Sequence, residues 1–155
     1  MTGSFDFAVV GAGIAGASLA AGLAAHGTVL LIEAGDRPGY HATGRSAAFW
    51  TESYGGPRVQ PLTTASFDYL SSHGFLAPRG ALTLARASER AERDAFVAEF
   101  AALGVRVEAL ERAALEVRLP GLAEEWQHGA WEPDCTDIDV AGLHQHWLAE
   151  AARQG

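Results

Sequence analysis

Gly11, Gly13 and Gly16, with Glu33 seventeen residues beyond the last of them, are the residues of this chain whose types and spacing suit a definite chemistry. That chemistry is the holding of a pyrophosphate. Gly11 permits a tight turn out of a strand, Gly13 lets the backbone approach the phosphates, and Gly16 lets a following helix pack closely on that strand. A helix opening near Ile14 turns free N–H groups and the positive end of its dipole toward the anion. A carboxylate at Glu33 can accept hydrogen bonds from ribose hydroxyls.

The glycine pattern alone is weak in a chain this rich in Ala and Gly; its context gives it weight. Phe5 to Val10 is short, apolar and β-prone, which predicts a buried strand. Ile14 to His26 is rich in Ala and Leu without proline, which predicts a helix. A second apolar run, Thr28 to Ile32, ends at Glu33. Strand, glycine turn, helix, strand and acid together form a βαβ unit for an adenine dinucleotide. The acid favours a free ribose 2′-hydroxyl, hence FAD or NAD over NADP, and does not choose between them.

After turn residues Ala34 to Gly39 comes Tyr40-His41-Ala42-Thr43-Gly44-Arg45-Ser46-Ala47-Ala48-Phe49-Trp50. Small side chains here allow close backbone approach to a ligand. Thr43 and Ser46 offer hydroxyls and Arg45 a fork of donors suited to phosphate. Ser46-Ala47-Ala48 is expected to open a short helix, a second helix N-terminus for the anion. A solvated surface loop is the competing reading.

Gly11 to Gly16, Glu33, and above all Pro38 to Ala48 followed by Tyr54-Gly55 resemble the D-amino-acid oxidase-like superfamily of FAD enzymes. Within it the chain is most similar to the D-arginine dehydrogenase type, and Asp137 to Gln145 extends the likeness. The resemblance implies noncovalent FAD, with Gly11, Ala12, Gly13, Ile14, Ala15 and Gly16 at the pyrophosphate and Glu33 and Ala34 beside the adenosine. It places His41, Thr43, Gly44, Arg45, Ser46, Ala47, Ala48 and Phe49 along the pyrophosphate, ribityl chain and flavin edge. Phe49 stands where the resembled enzymes carry a histidine. Tyr54 matches a tyrosine on a loop that closes over the substrate. The implied reaction oxidises the CH–NH bond of D-amino acids or related amines to imines by hydride transfer to flavin. His41-Ala42-Thr43-Gly44 also has the form in which some relatives attach FAD covalently through histidine, although the Gly-Arg-Ser continuation favours the noncovalent branch. Relatives acting on basic D-amino acids place an acid near residues 81–83. Ala81, Leu82 and Thr83 point instead to an apolar or small amine substrate.

The remaining segments read as scaffold. Val59, Leu62, Phe67 and Leu70 predict an amphipathic helix over residues 57–72 with Pro57 at its front. Ala81 to Leu84 is a strand, and Ser88 to Leu103 a helix with Phe96, Val97, Phe100 and Leu103 inward and Gly104 at its end. Val105 to Leu110 is a short strand or extended link, Glu111 to Arg118 a short helix, and Gln127 to Trp131 a strand. The charges on these helices are expected on solvated faces. Asp139 is expected to cap a helix over residues 140–153. His144 and His146, two apart, point about 200° apart on that helix and cannot share a metal. Cys135 lacks a basic partner in sequence, so no catalytic thiol is expected.

The expected fold class is therefore α/β: an FAD-binding Rossmann-like βαβ unit with an inserted α+β substrate-side segment. The domain expectation is residues 1–74 for the FAD unit and flavin loop, 75–136 for the substrate side, and 137–155 for a helix returning to the FAD unit. A third parallel strand does not follow that helix, and a fold truncated at its C-terminus is expected. A net charge of −8 argues against nucleic-acid binding, and all eleven basic residues are Arg, which removes Schiff-base chemistry by lysine. One cysteine excludes an internal disulfide and suits a reducing cytoplasm. No run approaches the roughly 20 apolar residues of a membrane span. The expected partner is a small-molecule amine, with the electron acceptor unspecified. A plain NAD-dependent Rossmann dehydrogenase and a non-catalytic fragment without cofactor are the competing readings.

Overall fold

A computed structural model of the chain describes residues 4–154. It contains β1 (Phe7–Val10), α1 (Ile14–Ala24), β2 (Val29–Ile32), β3 (Phe49–Trp50), α2 (Gln60–Ser72), β4 (Leu76–Pro78) and β5 (Ala81–Arg86). Then follow α3 (Arg90–Ala102), β6 (Glu108–Glu111), α4 (Arg112–Arg118), β7 (Trp126–Glu132), β8 (Thr136–Ile138) and α5 (Val140–Gln154). The architecture is mixed α/β. Contacts divide the chain into two compact units, residues 1–48 with 138–155, and residues 49–137. The chain leaves the first unit after Ala48, where the sequence reading placed the division after residue 74, and returns to it at Ile138.

In the first unit β1 and β2 pair in parallel, Phe7 opposite Val29 through Val10 opposite Ile32. α1 crosses between them and packs against both strands and α5. Ala17, Ala20, Ala21 and Ala24 form the buried face of α1, and side chains this small let neighbouring elements approach closely. Alternation along the strands buries Val9 and half-buries Phe7, Val29 and Leu31, while Ala8, Val10, Leu30 and Ile32 face outward. α5 begins as expected: the Asp139 carboxylate accepts the Gly142 N–H at 2.9 Å.

The second unit holds two three-stranded sheets, ordered β3-β8-β4 and β5-β7-β6. β7 is central in the latter and antiparallel to both neighbours. Phe100, Val105, Val107 and Ala130 form a buried cluster joined by Phe96 and Val97, so α3 lies on this sheet by its apolar stripe. In the other sheet Trp50 is buried against Phe67 of α2, and its indole N–H donates to the Thr63 carbonyl.

Several local expectations are corrected. Ser46-Ala47-Ala48 is not a helix. A single 3₁₀ turn covers Thr43–Arg45, Ser46 is already extended, and the Ala48 carbonyl accepts the Ile138 N–H. α2 starts three residues after Pro57, because Gly55 and Gly56 hold left-handed turns before it and Pro61 supplies the proline of its first turn. Leu62 faces solvent on α2, and Leu103 is partly exposed at the end of α3. Ser88 lies in a 3₁₀ turn ahead of α3, where the Glu89 carboxylate accepts the Arg86 N–H. Nor do all the helix charges face solvent. Arg93 of α3 is buried, and Arg112 of α4 donates to the Leu122, Ala123 and Trp126 carbonyls.

Candidate functional site

The glycine turn between β1 and α1 is shaped by two hard constraints. Gly11 holds φ at +95°, a conformation that L side chains rarely adopt. At Gly16 an added Cβ would stand 1.8 Å from the Gly11 carbonyl oxygen. Strand and helix therefore meet backbone to backbone, and α1 begins directly beneath the turn.

Around that turn each backbone group of Ala12 has a partner. Its N–H donates to Glu33 Oε2 at 2.9 Å, and its carbonyl accepts from His144 Nε2 of α5 at 2.8 Å. Glu33 Oε1 accepts the Gly35 N–H at 2.9 Å. These bonds, that from Gly35 first and that from Ala12 next, hold the Glu33 carboxyl below its ordinary value, with nearby His41 adding in the same direction. The Ile14 N–H donates to Thr43 Oγ1 at 2.9 Å, which brings the 41–48 loop onto the start of α1. Among the described residues no hydrogen bond engages the Gly13 or Ala15 N–H, and Ala15 is exposed.

Of the residues expected to form the site, Gly11 to Gly16, Glu33, His41 and Thr43 converge here. Gly44 closes its loop by donating to the Gly39 carbonyl at 2.7 Å. Arg45 lies over the Tyr40 ring at 5.1 Å, as Arg37 does at 5.2 Å, and pairs with no acid among the described residues. Ala34, Ser46 and Ala47 are exposed and Ala48 half-buried on the same unit. Phe49 and Tyr54 belong to the second unit. There the Arg79 guanidinium lies 4.4 Å from the Phe49 ring centre, and Tyr54 is strongly exposed.

A model of the family described as FAD dependent oxidoreductase matches residues 6–155. The chain belongs to that family. Its alternation of strand and helix also matches solved structures of greater length. Glycine oxidase from Geobacillus kaustophilus superposes with a TM-score of 0.81 at 23% identity, over 97% of this chain and 45% of that one. The FAD-bound, dithionite-reduced L-alpha-glycerophosphate oxidase from Mycoplasma pneumoniae gives 0.85 at 15% identity, over 99% and 44%. NikD, an unusual amino acid oxidase of nikkomycin biosynthesis, gives 0.77 at 26% identity, over 99% and 42%. The chain spans less than half the length of these proteins. FAD is the family's cofactor, and a nicotinamide dehydrogenase is the disfavoured reading. No helix among the described residues is long and apolar enough to cross a membrane.

Two residues have roles that the sequence reading did not assign to them. His144 was weighed only as a metal ligand; its partner Ala12 lies 132 positions away, and no local pattern announces that pairing. Glu132, buried at the end of β7, accepts hydrogen bonds from the Thr51 hydroxyl (2.8 Å), the Glu52 N–H (2.7 Å) and the Ser53 hydroxyl. It thereby pins the three residues that lead into Tyr54. No local pattern in Trp126 to Glu132 marks that role.

Proposed function

We propose that this chain is the FAD-binding portion of an enzyme that oxidises the CH–NH bond of a D-amino acid or related small amine. The observation that carries the reading is the start of α1, where unengaged Gly13 and Ala15 N–H groups stand at a helix N-terminus with Glu33 held alongside. The residues fit the adenine dinucleotide half of FAD. A carboxylate has about four acceptor positions, and Glu33 commits one on each oxygen to the backbone, which leaves capacity for a ribose diol.

In this reading Gly11 to Gly16 receive the pyrophosphate, Glu33 and Ala34 the adenosine, and His41, Thr43, Gly44, Arg45, Ser46, Ala47, Ala48 and Phe49 the ribityl chain and flavin. Tyr54 serves as a substrate lid. Flavin held by these residues would supply the hydride-accepting chemistry at the carbon that bears the amine. The chain's own residues bind and orient it, and none need act as a strong base. Ala81, Leu82 and Thr83 on β5 bring no carboxylate for a cationic substrate, which favours an apolar or small amine.

The test is the visible spectrum of the purified chain, incubated with FAD, freed of unbound flavin by gel filtration and then precipitated with acid. Flavin bands in the supernatant are the expected result. Colour retained in the pellet would instead assign a covalent link to His41. A protein that takes up no flavin would overturn the reading.

A further inference from the structure

We propose that His144 is a positioning residue that sets the direction of the Gly13 amide and so makes the turn competent to bind phosphate. The proposal rests on the FAD reading above and extends it to a helix far downstream in the chain.

His144 is only 7% exposed, and its Nε2 lies 2.8 Å from the carbonyl oxygen of Ala12, itself buried. A carbonyl can only accept, so Nε2 carries the proton in this contact. The peptide joining Ala12 to Gly13 is trans, as all the described peptides are, so its C=O and N–H point in opposite directions. Drawing the Ala12 carbonyl toward α5 therefore turns the Gly13 N–H away from α5. Glycine at 13 is what makes this necessary. Without a Cβ it tolerates either orientation of the preceding peptide, and the flipped one would present a carbonyl oxygen where the anion needs a donor. Glu33 holds the Ala12 N–H but does not restrain the peptide that follows.

The ring is itself fixed. Gly39, at φ +73°, packs against it so closely that a Cβ there would stand 2.6 Å from His144 Cε1 and 2.9 Å from Nδ1. The same turn is closed by the Gly44 N–H and carries Thr43 onto the Ile14 N–H. On the helix side, buried Leu143 and the Asp139 cap set the register of α5. Three segments distant in sequence thus meet at one imidazole, and the hydrogen bond from its Nε2 points at the turn.

The test compares His144→Phe, which keeps a ring but no donor, with His144→Gln, whose side-chain amide can place an N–H near the position of Nε2. FAD affinity is read by quenching of flavin fluorescence at a temperature where each variant is fully folded. Exchange broadening of the Gly13 amide is read by NMR relaxation dispersion without flavin. Loss of the donor is expected to weaken FAD binding on the order of tenfold, as for one good hydrogen bond. His144→Gln should recover most of that loss. The Gly13 amide should broaden in His144→Phe alone. Equal affinity in His144→Phe and the unaltered chain would overturn the proposal. So would equal loss in both variants, or a fall in melting temperature with neither affinity nor the Gly13 signal affected. If the unaltered chain binds no FAD, the cofactor reading fails separately. The Gly13 amide then decides this one: broadening only in His144→Phe sustains it, and its absence overturns it.

Discussion

At Gly16 a methyl group has nowhere to go, because the obstacle is the backbone oxygen of Gly11 and not a movable side chain. Gly16→Ala should therefore cost about 3 kcal/mol in urea unfolding, the upper end for an overpacked site, and abolish flavin uptake. Gly22 on the same helix meets nothing within 4 Å. Gly22→Ala should stabilise by up to about 1 kcal/mol, the propensity difference between the two residues. Opposite signs for one substitution on one helix would show that close approach, and not composition, dictates the third glycine of the turn. Unchanged stability in Gly16→Ala would refute that geometry.

Among the elements, α3 shows how a charged residue becomes part of a sheet. Arg93 donates from Nη1 to the carbonyls of Leu110 on β6 (2.8 Å) and Gly129 on β7 (3.1 Å), and from Nη2 to Glu111 at 2.9 Å. One guanidinium thus ties the helix to two strands. Arg93→Met would remove these donors from both carbonyls and this cation from Glu111. A loss of roughly 3 kcal/mol is expected, given about 1.5–3 kcal/mol for a hydrogen bond made by a charged group. Arg93→Lys should recover little, because an ammonium lacks the planar fork that reaches both carbonyls. Urea midpoints of the two variants measure this, and full rescue by lysine would refute the bridging role. The periodicity of α3 was legible in Phe96, Val97 and Phe100. The burial of Arg93 was not, since its acceptors lie on strands 17 and 36 residues away.

For the molecule as a whole, acid should be the effective denaturant. Asp6, held down chiefly by the Thr28 N–H, Glu33 by the Gly35 N–H, and Glu111 by Arg93 all titrate below their ordinary values of 3.8, 4.5 and 4.5. A carboxyl whose pKa is lower folded than unfolded contributes its full stability above the unfolded value and loses it as pH falls through the folded one. The urea midpoint should hold from pH 7 down to about 4.5 and then decline, more shallowly in Glu111→Gln. A flat profile from pH 5 to 3 would exclude these linkages. Acid would also expose further apolar surface on a molecule whose β1–β2 sheet already presents Val10, Leu30 and Ile32 to solvent.

What the sequence determined by itself was the β1–α1–β2 unit, its glycine turn and Glu33 at the end of the second strand. Strand alternation, helix propensity and the steric freedom of glycine act over a few residues, so they can be read from neighbours. The Asp139 cap and the Gly104 stop were legible for the same reason. Only the tertiary structure decided that Ser46 is extended, that α2 and β3 belong to the second unit, and that Glu132 anchors the residues before Tyr54. It also decided that a histidine 132 positions downstream takes the Ala12 carbonyl. Such pairings join side chains and backbone groups brought together by packing, and a single hydrogen bond between distant segments leaves no periodic trace in the chain that makes it.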